Sequence, residues 1–173
     1  MRGRADARAG GRLGLSARPP VRASVGFMTA TNDTIVHCDG FEVTLRAGPD
    51  LADITEHIRR IVREAGISAG SAQVVAIGST ASITTLEYEP GAVEDLKRAI
   101  RELAPPERAY AHEMTWHDGN GHSHVQAALL GPSIALPIRN GSLKLGTWQQ
   151  VVLINHDIHS RRRPVDVTVI GQA

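Results

Sequence analysis

The chain has 173 residues, 42% of them hydrophobic, with a single cysteine and a formal net charge of +1. That length suits one domain, able to bury a core without covalent staples, and one cysteine excludes an internal disulfide and a cysteine-rich metal site. Of 19 basic and 18 acidic residues, residues 1–27 hold six arginines and one acid, so the remainder carries 13 and 17; an acidic body of this kind argues against nucleic acid as a partner.

Residues 1–27 are rich in Arg, Gly and Ala and contain no run fit for a signal peptide. They are expected to be a disordered tail, and Met28 is an alternative natural start. A single domain is expected over residues 28–173. No apolar stretch approaches the roughly 20 residues of a membrane span, and a cytoplasmic location is expected.

"TIVHCDGFEVTLRA" (residues 34–47) reads as a hairpin turning at Asp39-Gly40. Asp50 is the expected N-cap of a helix whose Leu51, Ile54, Ile58, Ile61, Val62 and Ala65 share one face. Gly66 should stop it, with Glu56, Arg59, Arg60, Arg63 and Glu64 on the solvated side. Residues 72–91 contain two strands interrupted at Gly78-Ser79. A second helix buries Val93, Leu96, Ile100 and Leu103 and ends at Pro105-Pro106. A short helix begins near Ser123, and residues 133–146 form a hairpin turning at Asn140-Gly141. Residues 147–156 and 164–171 are the last strands, joined by a segment whose Arg161–Arg163 could bind an anion at a subunit edge but reads more readily as a charged hairpin tip. Trp116 and Trp148 read as packing residues. Hairpins dominate, so the fold class is α+β with a mainly antiparallel sheet, two longer helices and one short helix.

Chemistry concentrates in "WHDGNGHSHVQAALLGPS" (residues 116–133). His112, His117, His122 and His124 lie within thirteen residues. Neutral imidazole binds zinc and similar ions, and His122 and His124 could converge if the first stands before the helix and the second in its first turn. Gly119 and Gly121 would let an anion approach the free amides of that helix start. Histidines in a hydrated loop are the competing reading. Glu87 and Glu89 share a strand face and could act as base and acid, or simply end a strand and start a helix. Gln149 and Gln150 could orient a ligand or satisfy backbone groups.

"STASITTLEYEPG" (residues 79–91), "GNGHSHVQAALLGPS" (119–133) and "LPIRNGSLKLGTWQQVVLINHD" (136–157), in that order and followed by a basic segment, resemble the YjbQ-like family, also called secondary thiamine-phosphate synthases. The likeness runs from about Thr34 to Gly171. It implies a homotrimeric α+β protein with weak thiamine-phosphate synthase activity, joining a hydroxymethylpyrimidine diphosphate to a thiazole phosphate. Carried onto this chain, it implies catalytic roles for Glu87, His122 and His124, with substrate held by Asn120, Gly121, Ser123, Thr147 and Gln150. A divalent ion, zinc or magnesium, would be bound by His112, His122 and His124. Trp148 also falls at a motif position. Two departures stand out: Gly78 lies where many members have histidine, and Gln126 where many have a basic residue. The alternative function is a non-catalytic trimer that binds metal or a phosphorylated small molecule.

Because residues 1–27 contain nothing able to bury a core, their deletion is expected to leave the thermal midpoint and the oligomer mass unchanged. Calorimetry and light scattering on the shortened chain check this, and a large fall in the midpoint would reveal a structural arm.

Overall fold

Among the described residues, 33–173 of a computed structural model, eight strands and four helices form. The expected tail and the alternative start at Met28 lie outside the described residues. The strands build two antiparallel sheets. The larger is ordered β1 (Ile35–Leu45), β8 (Arg161–Gln172), β3 (Ala69–Ala76), β5 (Ser133–Arg139), β6 (Ser142–Leu143). The smaller is ordered β2 (Asp50–Asp53), β7 (Gln150–Asn155), β4 (Ala81–Leu86). With helices added to antiparallel sheets the class is α+β, as expected.

β7 lies between the two apolar cores. Its side chains alternate from face to face. Val151 and Leu153 join the main core, with Ile58 and Ile61 of α1 (Thr55–Ala65) and Val165, Val167 and Val169 of β8. Val152 and Ile154 face the other way and meet Leu51 of β2 and Ile100 of α2 (Pro90–Leu103). A strand buried on both faces reads as a continuous apolar run, and "VVLI" is one.

Several expectations are corrected. Asp39-Gly40 makes no turn: β1 is one eleven-residue strand, paired with β8 from Ile35–Gly171 to Leu45–Arg161. A Cβ on Gly40 would lie 3.0 Å from the Val165 carbonyl oxygen, so glycine serves close strand approach here. Asp50 caps no helix. It pairs with Asn155 at the start of β2, and its carboxylate accepts from the Arg46 amide at 2.8 Å. The helix begins later, where Asp53 accepts from the Thr55 amide at 2.8 Å. Gly66 ends it in the left-handed region at φ 64°, as expected. In α2, Ile100 is buried but Leu103 is 63% exposed, because only the inward edge of the helix meets Val152 and Ile154.

A four-residue helix, α3 (Glu113–Trp116), precedes the expected short one, α4 (Gly121–Leu130). Trp116 and Trp148 are 68% and 70% exposed, so neither packs the core. The arginines are not a tip. Arg161–Arg163 open β8, and the link from β7 is His156–Ser160.

The chain passes between the sheets six times, and two of these crossovers meet: the one from β3 to β4 through Gly78-Ser79 and the one from β7 to β8. There the His156 amide donates to the Thr80 carbonyl at 2.9 Å, and the Ile77 amide to that of Pro164 at 3.0 Å.

Leu153→Ala is expected to destabilise the fold by about 2–5 kcal/mol, the range for emptying a packed core site. Trp148→Ala should change stability by less than ~0.5 kcal/mol. Urea midpoints of the two variants test the assignment of core and surface.

Candidate functional site

Where the crossovers meet, polar side chains are buried together. Arg163, 7% exposed, donates from Nε to Asn155 Oδ1 at 2.9 Å and from one terminal nitrogen to Thr80 Oγ1 at 2.7 Å and the Thr80 carbonyl at 3.1 Å. Thr80 Oγ1 in turn donates to Asp157 Oδ2 at 3.0 Å. Asp157 also meets Arg161 Nε at 3.1 Å and the His159 amide at 3.0 Å, with Asn120 Nδ2 at 3.4 Å. Burial works against ionising Asp157, yet Arg161, the His159 amide and the Thr80 hydroxyl hold its carboxyl below the usual range. Burial also pulls the Arg163 pKa down; Asp157 opposes this, while Arg161 adds to it.

His156 continues the network under α4. Gln126 donates through Nε2 to the Ala104 carbonyl at 2.9 Å, so its Oε1 faces His156 Nδ1 at 3.2 Å as an acceptor. That fixes the proton on Nδ1, and Nε2 accepts from the Ser82 hydroxyl at 2.8 Å. Burial, then Arg163, then His122 push the His156 pKa down to about 4. Gln126 is therefore a buried orienting amide.

The histidines of "HSH" part company. Both lie within α4, where residues two apart point roughly 200° apart. His122 turns inward, 7% exposed, with its ring near Tyr110 at 6.2 Å and Nε2 at 3.4 Å from Ser123 Oγ. Burial lowers its pKa, against the opposing pull of Glu113, Glu107 and Asp157. Ser123 donates to the His156 carbonyl at 2.7 Å. His124 instead lies against His112, ring centres 4.5 Å apart and ring planes tilted by 42°, and His112 Nε2 lies 3.6 Å from Asp118. The expected convergence of His122 and His124 is thus overturned by helix geometry. Nor do His112, His122 and His124 form a metal trio: among the described residues no three His, Cys, Asp or Glu side chains are placed to hold an ion.

The start of α4 is already filled. Glu113 accepts from the Gly119 amide at 2.7 Å and the Gly121 amide at 2.9 Å, which pull its pKa down. A carboxylate of the chain itself takes the place expected for substrate phosphate. Gly121 permits this, since a Cβ there would lie 2.6 Å from Tyr110 Cβ.

Asn120, His122 and Ser123 are the sequence-expected residues that the fold gathers into one network. Glu87 is exposed beyond β4, and no hydrogen bond joins it to the histidines among the described residues. Glu89 caps α2 by accepting from the Gly91 and Ala92 amides. Gln150 accepts from the Tyr88 amide at 2.9 Å and Gln149 from that of Gly146 at 3.0 Å, so both amides satisfy backbone groups. Thr147 is exposed. The sequence reading missed the joint roles of Thr80, Ser82, Asn155, His156 and Asp157, and the burial of Arg163 among them.

In the unfolded chain His156 takes up its proton near its ordinary pKa of about 6.5, but in the fold only near 4. Its stabilisation is full above pH 6.5 and is lost as pH falls toward 4, then levels off. The expected loss between pH 7 and pH 4.5 is roughly 2–3 kcal/mol. Urea unfolding at both pH values checks it, and His156→Gln should flatten the slope. Equal stability at the two pH values would contradict the buried neutral imidazole.

Residues 40–172 match the family model described as UPF0047 protein YjbQ-like. A UPF0047 protein of Methanothermobacter thermautotrophicus is 33% identical over 123 residues, covering 71% of this chain and 84% of the relative. UPF0047 protein YjbQ of Salmonella typhimurium is 33% identical over 107 residues, covering 61% and 77%. Among solved structures, a YbjQ-like protein of unknown function from Sulfolobus solfataricus superposes with a TM-score of 0.77 at 33% identity, covering 81% of this chain and all of that one. A YjbQ/UPF0047 protein from Clostridium acetobutylicum gives 0.66 at 34% identity, covering 75% of this chain and 98% of that one. With antiparallel strands, helices and ordered sequence blocks in agreement, the chain belongs to the YjbQ-like UPF0047 family.

Proposed function

We propose that the protein is a thiamine-phosphate-synthase-like transferase, joining a hydroxymethylpyrimidine diphosphate to a thiazole phosphate. The observation that supports this reading is the charge at the crossover. One buried carboxylate, Asp157, faces two guanidinium groups, Arg161 and Arg163, beside Asn120 and within electrostatic reach of His122. In the transfer the thiazole nitrogen bonds to the pyrimidine methylene carbon. The bond from that carbon to the diphosphate oxygen breaks, and the electron pair leaves with pyrophosphate. Negative charge gathers on the departing oxygen, so cations fixed in place beforehand lower the barrier. The surplus positive charge of Arg161 and Arg163 supplies them. Ser123 donates its proton to the His156 carbonyl, so it accepts from His122 Nε2 and leaves His122 Nδ1 as a proton acceptor.

Among the described residues no three His, Cys, Asp or Glu side chains are grouped to hold a zinc or magnesium ion. Assembly as a homotrimer is part of the proposal. Val36 and Ile170, 61% and 41% exposed and paired in register on the outward face of the larger sheet, support it as apolar surface available to a second copy. The alternative, a non-catalytic trimer binding a phosphorylated small molecule, is favoured by Glu113 filling the start of α4.

The test incubates both substrates with the protein and measures thiamine phosphate and pyrophosphate together. Equal amounts are expected. His122→Ala should lower kcat at least tenfold, about 1.4 kcal/mol of barrier, and His124→Ala, beside His112, less than about threefold. Pyrophosphate binding without any product above the protein-free rate would favour the binding protein and overturn the transferase.

A further inference from the structure

Arg163 is buried on every side but one. Its Nε and one terminal nitrogen, Nη2, are engaged by Asn155 and Thr80. The other terminal nitrogen, Nη1, has no hydrogen-bond acceptor among the described residues. It points to Gly78: a Cβ built there would lie 3.2 Å from Nη1. Gly78 is exposed and holds φ at +149°, a conformation side chains rarely adopt. The backbone therefore leaves a gap in the wall where a side chain would otherwise cover the guanidinium.

The charge around the gap is not balanced. Asp157 is the one carboxylate paired with either cation here, and it stands closer to Arg161, at 3.1 Å, than to Arg163, at 3.7 Å. Arg161 is about half exposed at the rim. His156 adds no charge of its own, being neutral above about pH 4. A planar guanidinium with one free edge, set in surroundings that screen charge poorly, is suited to an oxyanion.

We propose that Arg163 Nη1, uncovered by Gly78, is the central contact of an oxyanion-binding subsite, with Arg161 at its rim. The ligand is a small molecule bearing a phosphoryl or carboxylate group. The subsite deepens the proposed function by naming where such a group is held, and rests on it only for the identity of the whole substrate. Inorganic phosphate and acetate serve as probes, so failure to bind is read separately from failure to turn over.

The full chain is titrated with sodium phosphate, and separately with sodium acetate, at constant ionic strength, following arginine side-chain N–H signals by NMR. The Arg163 Nε–H signal is assigned by its loss in Arg163→Lys or, should that variant not fold, from through-bond spectra of the parent. It should shift saturably with at least one probe; saturation with phosphate assigns a phosphoryl ligand, and with acetate alone a carboxylate. Gly78→Ala places its Cβ against Nη1 and should weaken binding at least tenfold, with circular dichroism as the folding control. Arg161→Gln should weaken it about threefold with the fold intact. An Arg163 signal unmoved by either probe overturns the proposal, as does a folded Gly78→Ala that binds like the parent. If Gly78→Ala does not fold, the parent titration decides alone.

Discussion

The Arg163 guanidinium, bonded at once to Thr80 and Asn155, is the interaction on which the junction of the two sheets depends. A buried cation is costly unless countercharge and hydrogen bonds compensate it, and here Thr80 and Asn155 engage the inner edge of the guanidinium. Everything nearby follows from that demand. Asn155 ends β7 and Thr80 precedes β4, so satisfying Arg163 fixes both crossovers relative to β8. Asp157 supplies countercharge, and Arg161, the His159 amide and the Thr80 hydroxyl keep it ionised. The cation also helps keep His156 neutral, and a neutral buried imidazole needs one donor and one acceptor of its own. Ser82 and Gln126 are those partners.

The crowding of glycine and histidine before α4 has a different cause from the one the sequence suggested. A helix start has free amides and attracts negative charge. Here the chain answers with Glu113, reached by folding α3 back over the loop. Glycine at 121 is needed because Tyr110 and Glu113 come so close. The segment is thus internally neutralised, and the uncompensated positive charge lies instead on the arginines at the opening of β8. The centre of candidate chemistry shifts from the helix start to the crossover, with Asn120 and His122 as the link between them.

Local pattern carried most of the fold. The 3.6-residue spacing of Ile54, Ile58, Ile61 and Val62 and the stop at Gly66 described α1 apart from its first turn. "VVLI" and Asn140-Gly141 marked a buried strand and a hairpin turn. The pattern misled where a residue serves tertiary approach in place of local geometry. Asp39-Gly40 has turn chemistry, yet its glycine makes room for β8. Asp50 has capping chemistry, yet it is bonded to Arg46 and paired in β2. The site divides in the same way. Asn120, His122 and Ser123 are adjacent and chemically dense, so they stood out. Thr80 and Arg163 are 83 positions apart and Thr80 and Asp157 are 77 apart. Each alone is an ordinary polar residue, and only the double crossover makes them neighbours.

Gly78 and Gln126 both bear on the same guanidinium. Gln126 Oε1 lies 3.2 Å from Nδ1 of His156, which is close enough to Arg163 to feel its field. The uncharged Gln126 fixes the His156 proton on Nδ1, so His156 adds no charge beside the arginine. Gly78 carries no side chain and leaves Nη1 uncovered. Together they leave Arg163 held on its inner edge by neutral partners and open on its outer edge. This geometry favours recognising an anion brought from outside over completing an internal ion pair, because Asp157, at 3.7 Å and shared with Arg161, neutralises Arg163 only in part.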